Sequence, residues 1–160
     1  CRNQSIESSL AEIARLARDE NRILVSWSGR ESRVIDEYVD SPDVRNLLSG
    51  SLVDARIFAR RWKRRFHPEV VFPYVTGQGR HRLAEYMKLV GYHVPTSHGP
   101  GNTGQRIRYV RKQLASKGGN FSSITPTAKA KWTNLLKHNF HDCAGLRTVF
   151  TSVIDGLSRR

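Results

Sequence analysis

Apolar residues recur along this chain more often at helical than at strand spacing. Ile6, Leu10, Ile13 and Ala17 fall at i, i+4, i+7 and i+11, one stripe of an amphipathic helix that Ser5 can cap and Asn21 can end. Residues 22–27 form a short β-rich run of strand length, broken by Ser28-Gly29. Val34, Ile35 and Tyr38 predict a helix from about Arg30. Ser41-Pro42-Asp43 is a cap with proline at the first helical position, and this helix should end near Gly50. Ser51-Leu52-Val53-Asp54 reads as a second short strand, followed by a basic helix over about residues 55–65.

The second half contains helices and loops. Residues 66–78 carry Pro68, Pro73 and Gly77, which predict an extended connection. Leu83, Met87 and Val90, with Tyr86 beside them, mark a helix that stops at Gly91. Pro95, Gly99, Pro100, Gly101 and Gly104 make residues 92–104 a loop. Ile107, Val110 and Leu114 predict a second basic helix, over about 104–117, ending at Gly118-Gly119. Thr125-Pro126 caps the last helix, which carries Trp132, Leu135 and Leu136 and runs past Leu146, Val149 and Val153. Gly145 is where it could bend or break. No repeat or low-complexity tract is visible. The expectation is one α/β domain over residues 1–160, rich in helix. Two short strands do not make a self-sufficient sheet, so its first strands are expected to precede Cys1.

Charge changes this picture most. Twenty-seven Lys and Arg face 14 Asp and Glu, a formal net charge of +13 and a pI near 10.6. Such a surplus favours polyanions, because neutralising phosphates releases condensed counterions. Nucleic acid is the expected partner. No basic amphipathic anchor stands out, and no run of about 18 apolar residues exists to span a membrane. No signal-peptide core is visible. The two cysteines, Cys1 and Cys143, do not suggest a disulfide framework, so a cytoplasmic, nucleoid or nuclear setting is expected rather than secretion. The oligomeric state is not legible.

Arg56, Arg60, Arg61, Lys63, Arg64 and Arg65 form the densest basic cluster, with 56, 60, 63 and 64 on one helical face. A solvated helix face is the plain explanation. Six cations with no acid among them repel one another, and phosphates would offset that cost. Arg106, Arg108, Arg111 and Lys112 form a second cluster behind Gly99, Gly101 and Gly104, whose backbone could approach a phosphate without any Walker pattern. Trp27, Trp62 and Trp132 are expected in the core rather than as base-stacking platforms.

Four residues carry candidate chemistry. Glu31 follows the first strand across Ser28-Gly29, Asp54 ends the second, and Asp142 lies four residues after His138 on the last helix. Carboxylates beyond strand ends can converge at one edge of an open sheet. Phosphodiester hydrolysis uses such convergence to hold two Mg²⁺ or Mn²⁺ ions roughly 4 Å apart. His138 and Asp142, at i and i+4, share a helix face, and one could bind metal while the other orients water. Each has a plainer role. Glu31 can be a capping acid, Asp54 is favoured as the N-cap of the basic helix, and His138–Asp142 can be a surface pair. His141 and Cys143 flank Asp142 but lack a second Cys/His pair with zinc spacing, so Cys143 is expected as a small buried apolar residue.

The run Leu135-Leu136-Lys137-His138-Asn139-Phe140-His141-Asp142-Cys143-Ala144-Gly145-Leu146-Arg147 resembles the last motif of DEDD-class ribonuclease-H-like 3′–5′ exonuclease domains, the predicted-nuclease type in particular. Ser26-Trp27-Ser28-Gly29-Arg30-Glu31-Ser32-Arg33 resembles their middle motif. Leu52-Val53-Asp54 and Arg82-Leu83-Ala84-Glu85-Tyr86 resemble the next strand and the helix that opens the following lobe, so the likeness covers roughly residues 22–150. It implies a ribonuclease-H-like fold and a metal-dependent exonuclease acting on a single-stranded end. Glu31 and Asp142 would be metal ligands and His138 the water-orienting residue. Glu31 stands where many members have Asp, and the four-residue spacing of His138 is that of the Tyr variant. The family's first motif, Asp-x-Glu, has no counterpart before residue 22. This chain therefore reads as the C-terminal portion of a larger nuclease domain, inactive alone. The alternative is a non-catalytic nucleic-acid-binding module or degenerate nuclease.

Overall fold

The computed structural model describes residues 5–96 and 103–159, so Cys1, Gly99, Pro100 and Gly101 lie outside the described residues. The chain is mostly helical, 69%, with a small two-stranded parallel sheet, an α/β arrangement. Two compact units divide it. The first contains residues up to Leu83 and from Phe150 onward, the second Ala84–Val149.

In the first unit, α1 (Ile6–Asp19) leads into β1 (Leu24–Ser26), α2 (Arg30–Tyr38), α3 (Pro42–Ser51), β2 (Leu52–Asp54) and α4 (Ala55–Phe66). Local chemistry sets these boundaries. The Ser5 hydroxyl accepts from Ser8 N at 3.0 Å, and Ser41 caps α3 with Pro42 just inside it. Asn21 takes φ +48 and ends α1, while Arg22 N donates to Ala17 O at 2.8 Å across the turn. β1 and β2 pair in parallel with Leu24 opposite Leu52, Val25 opposite Val53 and Ser26 opposite Asp54. Parallel strands need a crossover, and α2 and α3 provide it.

The core under this crossover consists of Ala14, Ile35, Val39 and Leu48, with Leu10, Leu24 and Leu52 packed against it. The inward stripe of α1 is Leu10, Ala14 and Ala17, rotated from the expected one. Ile6 and Ile13 are left 51% and 42% exposed. Small alanines at the contact let α1 approach α2 and α3 closely, and the bulkier isoleucines fall outside it. α4 buries Ala55, Ala59 and Trp62. Phe58 meets Phe150 edge-on with ring centres 6.4 Å apart.

The second unit holds α5 (Leu83–Leu89, from its second residue), α6 (Thr103–Ser116), a 3₁₀ turn (Phe121–Ser123) and α7 (Pro126–Ser158) as far as Val149. Gly91 (φ +75) ends α5, and Gly118 and Gly119 (φ +59 and +79) end α6. The Thr125 hydroxyl accepts from Ala128 N at 3.3 Å and starts α7. Val110, Ile124 and Ala128 form one cluster with Leu114 against it.

Three expectations along α7 need correction. Gly145 does not interrupt the helix, which is continuous from Pro126 to Ser158. Gly145 instead makes room for Met87, whose Sδ would lie 2.7 Å from a Cβ placed there. Cys143 is exposed rather than buried, because the inward stripe is Gly145, Val149 and Val153 and a residue two positions before it points the other way. Trp132 is 36% exposed, whereas Trp62 at 7% is core as expected. No described helix is long and apolar enough to cross a membrane.

Candidate functional site

The densest positive charge in the first unit borders a pocket. On α4, Arg60, Lys63 and Arg64 follow i, i+3, i+4 spacing and flank the buried Ala55–Ala59–Trp62 stripe. Beyond α4 the chain folds back. A tight turn closes with Gly79 N donating to Val75 O at 2.8 Å, using Gly77 and Gly79 at positive φ. That return brings Arg80 and His81 toward α4. The result is a cavity of about 280 Å³ lined by Arg60, Lys63, Arg64, Phe72, Arg80 and His81, with Pro68, Val70 and Val71 completing its wall.

Four of the wall groups, Lys63, Phe72, Arg80 and His81, are held by neighbouring groups. Phe72 is 6% exposed. Lys63 Nζ donates to His67 O at 3.1 Å and stands 5.6 Å from the Phe72 ring centre. Arg80 Nη1 donates to Phe72 O at 3.1 Å. The His81 ring meets Phe72 edge-on at 6.1 Å, and its backbone carbonyl accepts from Trp27 Nε1 at 3.2 Å. Burial pushes the His81 imidazole below its ordinary value of 6.5, and Arg60, Lys63, Arg56 and Arg64 push it further the same way. Among the described residues no carboxylate lines this pocket.

Of the α4 cations, Arg56 is 3.9 Å from the Asp54 carboxylate, whereas Arg60, Arg61 and Arg64 have no ion pair with any described acid. Arg61 lies off the face that lines the pocket, and Arg65 stacks over Phe66 at 5.1 Å. On α6, Arg108, Arg111 and Lys112 are exposed. Arg106 is set apart from them, because its Nη1 is buried without a hydrogen-bond partner and so is not offered to solvent.

Asp54 is the last residue of β2 and Glu31 lies just beyond β1 at the start of α2, and because the strands run parallel both fall at the C-terminal end of the sheet. There each has a local structural role. Asp54 accepts from Arg56 N at 2.9 Å as the N-cap of α4. Glu31 is exposed and accepts from the Ser28 hydroxyl at 3.1 Å, while the same hydroxyl oxygen accepts from Arg30 N at 3.3 Å. The turn between β1 and α2 is thereby closed by side chains.

His138 and Asp142 are in the second unit. His138 Nε2 lies 3.4 Å from Asp142 Oδ2, and both border a pocket of about 330 Å³ with Thr103, Ile107, Leu135 and Asn139. His141, one residue before Asp142, shares a hydrogen bond of 3.1 Å between its Nδ1 and the Tyr92 hydroxyl. The pair gives a proton-transfer group beside a carboxylate in a partly apolar recess.

A two-cation centre needs several converging oxygen or nitrogen ligands. Among the described residues no three His, Cys, Asp or Glu side chains gather so as to hold a metal ion.

Three residues of consequence escaped sequence reasoning, besides Ser26. Arg80 and His81 reach α4 only because residues 67–81 fold back, and their nearest sequence signal is Gly77 and Gly79. Glu85 is a buried acid, 8% exposed, 3.6 Å from Lys88 Nζ. Ser26 itself is 4% exposed, and its hydroxyl lies 3.2 Å from Ser28 O and 3.5 Å from Val53 O, tying the turn to β2.

Compared with protein-family models, curated proteins and solved structures, the chain gives no match.

Proposed function

We propose that the chain binds single-stranded nucleic acid through α4 and the segment packed beside it, as a relative of the ribonuclease-H-like exonuclease domains of the DEDD class. The observation that carries this reading is electrostatic. Arg60, Lys63 and Arg64 crowd one face of α4 with no acidic partner among the described residues. Phosphates would relieve that repulsion and release counterions. The exposed Arg108, Arg111 and Lys112 on α6 supply a second contact for the backbone. The parallel β1–β2 pair, with Asp54 ending β2 and Glu31 beyond β1, favours the ribonuclease-H-like assignment.

A salt titration of binding tests this. The logarithm of affinity for a fluorescent single strand should fall linearly with the logarithm of salt concentration. Arg60→Gln with Arg64→Gln should flatten that slope by about one to two units, since each phosphate neutralised on a single strand contributes roughly 0.7. A slope unchanged by both substitutions would refute the assignment to α4.

The second reading, phosphodiester hydrolysis, is favoured by His138 beside Asp142 in its recess. A cleavage assay with Mg²⁺ or Mn²⁺ on a fluorescent single strand tests it. Cleavage abolished in Asp142→Asn with binding retained supports an exonuclease, and no cleavage under any condition leaves the binding module.

A further inference from the structure

The pocket between α4 and residues 67–81 differs from an open basic helix face. Arg60, Lys63, Arg64 and Arg80 border one concave space, and among the described residues no carboxylate lines it. A phosphodiester in mid-strand carries one negative charge and continues in both directions, which suits a groove. A phosphate monoester carries close to two charges at neutral pH, with a second pKa of about 6, and it terminates the chain. The volume, about 280 Å³, falls just below the roughly 300–1,000 Å³ of small-molecule sites. It has room for a phosphate and part of its sugar but not for a run of nucleotides.

The wall chemistry matches such a group. Arginine forks are suited to phosphate oxygens, and Arg60 and Arg64 have no described acid to compete for them. Arg80 is steadied by its bond to Phe72 O, so it is already ordered. Val70 and Val71 give an apolar side for the sugar, with Val71 78% exposed. His81 faces Arg56, Arg60, Lys63 and Arg64 from α4 and the Phe72 ring from its own segment, with Arg80 adjacent in sequence. A bound dianion would offset those cations and let the imidazole accept a proton.

We propose that this pocket holds the terminal phosphate monoester of a nucleic-acid strand, with Arg60, Arg64 and Arg80 as its cations. The proposal rests on the nucleic-acid reading above and adds a preference for strand ends. It is tested by competition binding with one short sequence in four forms, namely 5′-phosphorylated, 3′-phosphorylated, unphosphorylated and circular. One phosphorylated form should bind about tenfold tighter than the unphosphorylated and circular forms, and its identity shows which end is held. Arg64→Gln and, separately, Arg80→Gln should bring the forms to near-equal affinity. Arg64 is exposed, so its substitution leaves the fold intact if Arg80→Gln does not. Equal binding of all four forms, or a preference that survives both substitutions, overturns the terminal-phosphate site while leaving nucleic-acid binding in place. Binding of none of them overturns both.

Discussion

Gly156 lies directly against the Trp62 indole. A Cβ at that position would sit 2.7 Å from Trp62 Cδ1, closer than real side chains approach. Trp62 is 7% exposed on α4, the helix that carries the basic face. Gly156→Ala should gain up to about 1 kcal/mol of helix propensity and lose about 1–3 kcal/mol through overpacking. A net fall in the urea midpoint is expected, with quenching or shift of tryptophan fluorescence. A higher midpoint would show that Trp62 moves aside freely.

Gly50 makes the opposite case. It is helical in α3, and a Cβ there meets nothing within 4 Å. Gly50→Ala should stabilise the protein by about 0.5–1 kcal/mol through reduced backbone freedom in the unfolded chain. The same urea titration measures it.

Asp54 separates structural from chemical roles. As N-cap of α4 it accepts from the Arg56 amide. Asp54→Asn retains a capping oxygen and should cost a few tenths of a kcal/mol, whereas Asp54→Ala should cost about 1 kcal/mol. If instead Asp54→Asn abolished a measurable metal affinity at unchanged stability, its carboxylate would be a ligand first and a cap second.

His81 should be visible in a pH titration. Its folded pKa lies below the ordinary 6.5 through burial and the α4 cations. The unfolded chain therefore binds the proton more readily. The stabilisation from keeping His81 neutral is fully present above about pH 6.5 and is lost as pH falls through the folded value. Thermal melts of wild type should weaken across that acid window more than those of His81→Gln. The His81 ring resonances should titrate below 6.5 in the free protein and move upward when inorganic phosphate is added. No upward movement would show that anions do not enter the pocket.

Legibility tracked how local the determining physics was. Ser5, Ser41, Asp54 and Thr125 act on amides two or three residues away, so the helix starts could be read from composition and spacing. The same holds for Asn21, Gly91 and Gly118-Gly119 at helix ends. The α1 stripe was rotated because alanine-sized contacts against two helices are decided by packing distance, which the periodicity of isoleucines does not report. Cys143 required the phase of α7 over several turns. The pocket was out of reach because Arg80 and His81 meet α4 only across the fold-back closed at Val75 and Gly79. Glu31 and Asp54 could be expected at one sheet edge once two parallel strands were identified. Their hydrogen bonds to the neighbouring turn and cap depend on rotamers that no sequence pattern states.

The unbalanced charge of α4 also bears on how the free protein tolerates dilution. Surface ion pairs generally make a fold weaker as electrolyte is added. Here self-repulsion dominates one helix, so electrolyte should act as a support, raising the melting temperature between about 0.01 M and 0.15 M salt as the screening length contracts from about 30 Å to 8 Å. A soluble polyanion such as heparin should do the same at far lower concentration by occupying the folded state alone.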